Sequence, residues 1–293
     1  GTEYLYGLLI QLLGNEKIYA VENPGYRKIG KIYQSYKVLC KYIDMDEEGV
    51  EISKLEENQV DIAHISPSHH YPTGIVMPVS RRYELLGWAA KSENRYIIED
   101  DYDSELRLSG QPIPTLQSMD VSDKVIYMNT FTKTLASTVR ISYMILPREL
   151  FQQYYKKLSF YSCTVSNFEQ YTLARFMESG SFEKHINRLR NYYQNKRDAI
   201  LEIFKTAPLD QYITIKEEDS GVHFMMKLKT DRTEMDMISD AKSKGIKLAP
   251  LSKYFVDQTS NMNFQNVYVM NYSSIDLEQL PLIFDALCQV LIK

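Results

Sequence analysis

The stretch "RYIIEDDYDSEL", Arg95 to Leu106, joins a short apolar segment to a run of carboxylates. Its first part, "YII", has the character of a buried strand. Five acids then fall within seven residues: Glu99, Asp100, Asp101, Asp103 and Glu105. Solvated loops carry acids, but few place so many directly after an apolar strand. We therefore expect at least one of these carboxylates to face a positive charge.

The composition bounds the class of protein. The chain has 293 residues, of which 44% are hydrophobic and 25% charged, as is typical of a soluble globular protein of one large domain or two unequal lobes. No apolar run approaches the roughly 20 residues that a membrane span requires. The three cysteines stand far apart in the sequence, which gives no metal-binding spacing and no complete set of disulfides, and this favours a reducing cytoplasm.

Charge and histidine placement exclude two further classes of site. The net charge of −4 argues against a nucleic-acid surface, because phosphate binding depends on clustered Lys and Arg. The most basic run, Lys184 to Arg197, has the pattern of a helix with a solvated face. His69 and His70 are adjacent, so on a strand they would point to opposite faces and could not chelate one ion. The sequence predicts no metal site and no direct contact with DNA.

The first half of the chain alternates strand and helix signals. The predicted strands include "IYAV", "KVLCKYI", "VDIAHIS", "RYIIED", "KVIYMNTF" and "RISYMILP". Helical patterns lie between them, among them "SRRYELLGWAAKSE", with Ser80 as the expected N-cap. This alternation predicts a mostly parallel sheet flanked by helices over about residues 1–150. Ligands of such sheets bind beyond the carboxyl ends of the strands, which is where the acidic run lies.

The pattern changes after Pro147. Helical periodicity continues to about Ala207, and the strands "YITIK", "VHFMMKLK" and "NVYVMNY" follow before a last helix, "DLEQLPLIFDALCQVLI". Residues 151–293 are therefore predicted to form a long connecting helix and a smaller C-terminal α+β lobe.

The segment "YMNTFTKTLASTVR" carries a second group of polar residues at a strand end. The turn contains Thr130, Thr132 and Lys133. A lysine in such a turn can be partly desolvated, which frees its amine to form a Schiff base with an aldehyde. Arg140 follows seven residues later, and two hydroxyls with a guanidinium suit a phosphate. An aldehyde that bears a phosphate indicates pyridoxal 5′-phosphate; the alternative is a surface lysine in a Thr-rich loop.

The acidic run supplies what such a cofactor also needs. The pyridine nitrogen must stay protonated if the ring is to accept electrons, and a carboxylate in a low-dielectric site holds that proton. Asp100 lies at the strand end, and Tyr102, two residues on, could point the same way and reach the phenolic oxygen. One acid of the run would then meet the cofactor while the others stay solvated.

Together these residues resemble a fold-type I aminotransferase (class I/II), and more narrowly the aminotransferase-like domain of MocR/GabR-type bacterial regulators. Three segments carry the resemblance: "ISPSHHYPTGIVMPVSRRYELLGWA", "RYIIEDDYDSEL" and "NTFTKTLASTVRISYMILP". It covers essentially the whole chain. It implies an α/β fold with a mostly parallel central sheet, a smaller C-terminal α+β lobe and bound pyridoxal phosphate.

The resemblance also implies roles for individual residues. Lys133 would be the Schiff-base lysine, Asp100 would pair with the pyridine nitrogen, and Tyr102 would bond the phenolic oxygen. The phosphate would be held by residues of two segments: Arg140, Thr130, Thr132, Gly1 and Thr2. The last two fall at a helix N-terminus, where backbone N–H groups bind anions.

Other positions match or depart from the aminotransferase pattern. Tyr26 in "ENPGY" falls where the family places the aromatic that stacks on the ring. Tyr71 replaces the asparagine that precedes "PTG" and bonds the phenolic oxygen. Ser274 falls where an arginine often grips the substrate carboxylate, and Lys28 is a candidate substitute. His223 in "SGVHF" reads as a strand residue, with a ligand contact as the alternative.

The function implied is that of the effector-sensing and dimerisation domain of a MocR/GabR-type transcriptional regulator in the cytoplasm. Pyridoxal phosphate would be held as an internal aldimine, and an amine or amino-acid effector would replace Lys133 to give an external aldimine. A homodimer is expected. DNA would be bound only through an N-terminal helix-turn-helix domain, which we expect this chain to lack. We expect the first segment of the aminotransferase fold to be missing as well. One alternative is a pyridoxal phosphate-dependent aminotransferase, and another is a scaffold that binds no cofactor.

Overall fold

The helices and strands are taken from a computed structural model that describes residues 1–108, 113–219, 221–256 and 264–292. The strands are β1 (Ile18–Asn23), β2 (Leu39–Asp46), β3 (Gly49–Val50), β4 (Ile62–Ile65), β5 (Tyr96–Asp101), β6 (Val125–Thr130), β7 (Ser142–Ile145), β8 (Ile213–Lys216), β9 (His223–Leu228) and β10 (Val267–Asn271). The helices are α1 (Thr2–Leu13), α2 (Arg27–Ser35), α3 (Ile52–Glu57), α4 (Val79–Ala90), α5 (Leu116–Met119), α6 (Arg148–Leu158), α7 (Asn167–Glu178), α8 (Ser181–Phe204), α9 (Glu234–Ser243) and α10 (Leu280–Leu291). Short 3-10 helices cover Ser104–Leu106, Leu209–Gln211, Leu251–Tyr254 and Leu277–Gln279.

Seven of the described strands form the main sheet, in the order β3-β2-β1-β4-β5-β6-β7. The pairs from β2 across to β6 are parallel, and the two edge strands, β3 and β7, are antiparallel to their neighbours. The predicted mostly parallel sheet is therefore confirmed. Five of the six residues of β1 are buried, as expected of a central strand covered on both faces.

Alternation along the strands divides the apolar side chains of this sheet between two cores. On one face Val21 packs in a cluster with Leu9 of α1. Its neighbour Ala20 points the other way, into a cluster with Leu85 and Trp88 of α4. Successive strand residues face opposite sides, so each strand supplies both cores. Because helices cover both faces of the sheet, polar side chains are accommodated at the carboxyl ends of its strands.

The second sheet is antiparallel, in the order β10-β9-β8. Its core joins Phe224 of β9 with Phe204 of α8 and Leu287 of α10. This is the α+β pattern that the sequence predicts for the C-terminal part.

The chain divides into two compact units. One consists of Gly1–Tyr71, Ile75–Glu105 and Gln111–Asn187, and the other of Pro72–Gly74, Leu106–Gly110 and Arg188–Lys293. Residues 151–187, which the sequence pattern groups with the C-terminal lobe, fall in the first unit. Among the described residues, none of the helices combines the length and apolar composition that crossing a bilayer demands.

One predicted helix start is wrong. The N-cap of α4 is Pro78, not Ser80, and no side chain caps it. The backbone of Pro78 is extended, with ψ at 159°, and the helix begins at the next residue. Ser80 therefore lies inside the first turn, because the extended proline already starts the helix two residues before the serine.

Candidate functional site

Strand register brings a histidine to the side of Asp100. In the parallel pair of β4 and β5, His64 lies opposite Ile98. Residues two apart on a strand share a face, so Asp100 lies on the same side of the sheet as His64. His64 Nε2 is 3.2 Å from Asp100 Oδ2, and both side chains are buried.

Two tyrosines extend this contact into a buried chain of hydrogen bonds. The Tyr6 hydroxyl donates to Asp100 Oδ2 at 2.6 Å, and the Tyr33 hydroxyl lies 2.5 Å from His64 Nδ1. Burial raises the pKa of both phenols well above the usual value, so both stay protonated and can donate. With Tyr33 donating to Nδ1, His64 carries its hydrogen on Nε2 and donates to Asp100.

The other oxygen of Asp100 is the atom that points to a ligand. Oδ1 is buried and has no hydrogen-bond partner among the described residues. A buried acceptor without a donor costs about 1–3 kcal/mol, so a bound donor is favoured there. A protonated pyridine nitrogen is such a donor. The residues present therefore fit the ring of pyridoxal phosphate.

Three tyrosines from the predicted set lie near this end of the sheet. Tyr102 is half-buried just past β5 and interacts electrostatically with Asp100 and Tyr71. Tyr26 is the N-cap residue of α2 and is 52% exposed. Its ring meets that of Tyr71 edge-on, with centroids 6.1 Å apart and planes at 84°. Stacking of Tyr26 on a cofactor and a bond from Tyr71 to its phenolic oxygen stay predictions.

Thr130 and Thr132 form hydrogen bonds within the loop that follows β6 and carries Lys133. The Thr130 and Thr132 hydroxyls are 2.9 Å apart. Thr130 donates to the carbonyl oxygen of Ile141 and Thr132 to that of Val139, each at 3.3 Å. These two carbonyls flank Arg140. The threonines thus fix the backbone on both sides of the guanidinium-bearing residue, and their contact with a phosphate stays a prediction.

Lys133 itself is exposed in this chain, so the partial desolvation expected of a strand-end lysine is not seen. Arg140 is exposed as well. Bond formation at Lys133 stays a prediction that rests on the position of the loop at the end of β6.

The start of α1 lies against Arg140. The backbone nitrogen of Gly1 donates to the Arg140 carbonyl oxygen at 2.8 Å. A Cβ atom on Gly1 would stand 2.7 Å from Arg140 Nη2. Gly1 is the N-cap of α1 and Thr2 its first residue. A helix N-terminus and a guanidinium therefore adjoin, and both attract a phosphate.

Lys28 has a partner within the chain. Its ammonium forms an ion pair with Glu3, with both side chains about half exposed. The hydrogen bond with Glu3 raises the pKa of Lys28 above its usual value. A role in gripping an effector carboxylate stays a prediction, and it would require competition with Glu3.

The two candidate effector residues of the second unit differ in exposure. His223 begins β9, is buried, and pairs with Asn271 of β10 in the strand register. Ser274 is exposed three residues after β10 ends. Their contact with an effector stays a prediction.

Sequence reasoning missed several buried polar residues of this site. His64 sits in the apolar strand "VDIAHIS", and its position opposite the acidic strand is the signal that identifies it. Glu22 near the end of β1 is also buried, and its Oε2 accepts from the backbone N–H of Ser66 at 3.0 Å. His70 Nε2 lies 3.5 Å from the same oxygen. Burial raises the pKa of Glu22 to about 8.

The mostly parallel sheet with helices on both faces is the architecture of a fold-type I aminotransferase. The model of the family "Aminotransferase class I and II" matches residues 1–276, and the chain belongs to that family. The crystal structure of Pyrococcus horikoshii kynurenine aminotransferase superposes with a TM-score of 0.82 at 25% identity, over 100% of this chain and 73% of that one.

The relatives of this chain include transcriptional regulators. The "Uncharacterized HTH-type transcriptional regulator YdeL" of Bacillus subtilis is 39% identical over 252 residues, which is 86% of this chain and 54% of the relative. The "Probable rhizopine catabolism regulatory protein MocR" of Rhizobium meliloti is 27% identical over 277 residues, 94% of this chain and 55% of the relative. The resemblance to MocR-type regulators is confirmed. The chain spans about half the length of these relatives.

Proposed function

We propose that this chain is the pyridoxal phosphate-binding, effector-sensing and dimerisation domain of a MocR/GabR-type transcriptional regulator. The observation that carries the cofactor assignment is Asp100, whose Oδ2 is bound by Tyr6 and His64 while Oδ1 has no donor among the described residues. The regulatory assignment is supported by the regulator relatives, which extend well beyond this chain.

The residues of the chain would divide the work of binding. Pyridoxal phosphate supplies an electrophilic aldehyde and a ring that withdraws electrons once its nitrogen is protonated. Asp100 would hold that proton at Oδ1. Arg140 with the start of α1 would bind the phosphate, with the loop fixed by Thr130 and Thr132. Tyr26 would cover one face of the ring.

Lys133 would bind the aldehyde covalently and release it when an effector amine takes its place. The effector nitrogen would take the place of the lysine nitrogen on the aldehyde carbon, and Lys133 would be released as a free amine. The freed lysine would alter the contacts of its loop. In a regulator, such a local change can shift the equilibrium between two arrangements of the protein. The effector would be an amine or amino acid, and Lys28, Ser274 and His223 are the candidates for binding its other groups.

The partners follow from the same assignment. The DNA contact would come from a helix-turn-helix domain outside this chain, as the names of the relatives suggest, and the protein would act in the cytoplasm. A homodimer is supported by exposed aromatic side chains on two consecutive helices of the first unit. These are Phe151 and Tyr155 of α6 and Phe168 and Tyr171 of α7.

The test of the cofactor assignment is a titration of the purified chain with pyridoxal phosphate, followed by absorbance. A band of the lysine-bound cofactor is expected near neutral pH, and Lys133→Ala should abolish it. Lys91→Ala is the matched control, because Lys91 is an exposed lysine engaged with Glu56 on the helical cover. A band that persists in Lys133→Ala would refute Lys133 as the attachment site.

A second candidate function is that of an aminotransferase, which the kynurenine aminotransferase structure favours. It would use the same cofactor residues, so these do not discriminate. Ser274 in place of a carboxylate-binding arginine argues against it, since a buried carboxylate needs a charged partner. Multiple turnovers with any pair of amino donor and keto acid would favour the enzyme over the sensor.

A further inference from the structure

A buried histidine–aspartate pair, His69 and Asp103, contacts Tyr102. His69 Nδ1 is 3.0 Å from Asp103 Oδ1 and 2.9 Å from Oδ2, and both side chains are buried. The Tyr102 hydroxyl lies 3.3 Å from the same Nδ1. The rings of His69 and Tyr102 are stacked, with centroids 6.0 Å apart and planes at 28°.

The polarity of these contacts follows from the donor inventory. An ionised aspartate only accepts, so His69 Nδ1 must carry the hydrogen that it shares with Asp103. A nitrogen that carries a hydrogen cannot accept one from Tyr102. The phenolic oxygen of Tyr102 can therefore only accept from His69, and its own O–H must point elsewhere. Because the aspartate sets the tautomer, it also prevents the tyrosine hydroxyl from pointing at His69.

We propose that His69 and Asp103 are positioning residues that lock Tyr102 as a hydrogen-bond donor toward an anionic oxygen of the ligand. This inference rests on the proposed function, in which that oxygen is the phenolic oxygen of the pyridoxal ring. A donated hydrogen bond stabilises negative charge on that oxygen and weakens its hold on the proton of the neighbouring imine. The pair would thus set the pH at which the lysine-bound cofactor loses its proton.

The same acidic run provides a matched control for this effect. Asp101 and Asp103 are each 3% exposed, but Asp101 accepts from the Tyr127 hydroxyl at 2.7 Å instead of facing His69. Removing the charge of Asp101 tests whether any nearby buried carboxylate would act in the same way. A specific effect of the pair predicts that only the Asp103 variant alters the cofactor.

The first experiment is a pH titration of the absorbance of the lysine-bound cofactor. In His69→Leu the midpoint should rise by about one pH unit, which is the size expected when a hydrogen bond to a charged group is lost. Asp103→Asn should raise it in the same direction. His69→Asn, whose amide nitrogen can stand near the position of Nδ1, should restore the wild-type midpoint, and Asp101→Asn should leave it unchanged. Unaltered midpoints in His69→Leu and Asp103→Asn would overturn the proposal.

The second experiment measures the wild-type chain without cofactor. Nitrogen-15 NMR of the histidine side chains should show His69 protonated at Nδ1, and Asp103→Asn serves to assign the signal. A His69 with hydrogen on Nε2 alone would overturn the proposal. If the wild-type chain gave no lysine-bound band but showed the Nδ1 hydrogen, the cofactor assignment would fail while the locked polarity of Tyr102 would stand.

Discussion

The Tyr6 hydroxyl and Asp100 Oδ2 are 2.6 Å apart, although 94 residues separate them in the chain. This contact joins the first helix to a central strand of the sheet. His64 occupies the same oxygen from the neighbouring strand. Two donors are therefore committed to Oδ2, and Oδ1 has no hydrogen-bond partner among the described residues. The two contacts of Oδ2 thus fix the orientation of the carboxylate.

Tyr6→Phe should destabilise the protein more than an ordinary tyrosine truncation. The lost hydrogen bond has a carboxylate acceptor inside the core, and bonds to charged groups contribute about 1.5–3 kcal/mol. We expect the free energy of unfolding, measured by urea denaturation, to fall by that amount.

Tyr19→Phe is the control for the Tyr6 substitution. Tyr19 is also buried in the same core, but its hydroxyl donates to a neutral acceptor, the Gly14 carbonyl oxygen, at 3.0 Å. Its loss should cost about 1 kcal/mol. Equal losses of unfolding free energy in the two variants would mean that the hydrogen bond from Tyr6 to Asp100 is no stronger than one to a neutral acceptor.

Asp100→Asn should weaken the binding of pyridoxal phosphate by about 10–100-fold, because a charge-assisted hydrogen bond is lost at the ring nitrogen. Absorbance titration measures the dissociation constant directly. Asp101→Asn removes the neighbouring charge on the opposite face of β5 and should leave the affinity within about twofold. An Asp100→Asn variant that binds as tightly as the wild type would exclude Asp100 as the partner of the ring.

Much of the fold follows from local pattern. Alternating apolar residues locate the strands, and strands that alternate with helices predict the parallel sheet. Asp100 is the candidate from the acidic run because a carboxyl strand end is where ligands of such sheets bind, and its role stays a prediction. The edge strand β3 and the start of α4 were not predicted correctly, because a two-residue strand has no period and Pro78 overrides the serine signal.

The site could be predicted only in part because its polar contacts depend on register. His64 meets Asp100 because β4 pairs with β5 in one register, and a shift of one residue would turn it to the other face. The pair of Lys28 and Glu3 depends on how α1 lies beside α2, which no spacing in the sequence encodes. Local pattern thus finds residues at strand ends but not the partners that tertiary structure brings to them.

The exposed aromatic surface on α7 should be needed for dimerisation. Phe168 and Tyr171 are 81% and 71% exposed and lie three residues apart on one face, and no residue of α7 is buried in the isolated chain. Replacing both by serine should weaken self-association by about 10²–10⁴-fold, since burying each of the two aromatics contributes about 1.5–3 kcal/mol. Sedimentation velocity over a range of concentrations measures the change.

Tyr83→Ser is the control for the dimer prediction, because Tyr83 is 62% exposed on α4. It should leave the association constant unaltered. A serine double variant that sediments like the wild type would place the dimer contact on another surface.

Glu22 should make the wild-type protein less stable as the pH rises. Burial raises its pKa from 4.5 to about 8, so between these values the folded chain holds a proton that the unfolded chain has released. The stabilising contribution is present below about pH 4.5 and is lost as the pH rises through 8. Glu22→Gln keeps an acceptor for the Ser66 N–H but does not titrate. Relative to this variant, the wild type should lose about 2–4 kcal/mol of unfolding free energy between pH 5 and 8.

The neighbouring His70 makes the fold more stable as the pH rises, which is the opposite of the effect of Glu22. The comparison of the wild type with Glu22→Gln has to allow for this contribution. Burial lowers the pKa of His70 to about 3, so the unfolded chain binds its proton first and His70 destabilises the fold as the pH falls below 6.5. Both proteins carry His70, so its contribution cancels when urea unfolding of the wild type and Glu22→Gln is compared at each pH. Curves that run parallel from pH 5 to 8 would mean that Glu22 is ionised in the folded protein, as an ion pair with His70 across their 3.5 Å separation would require.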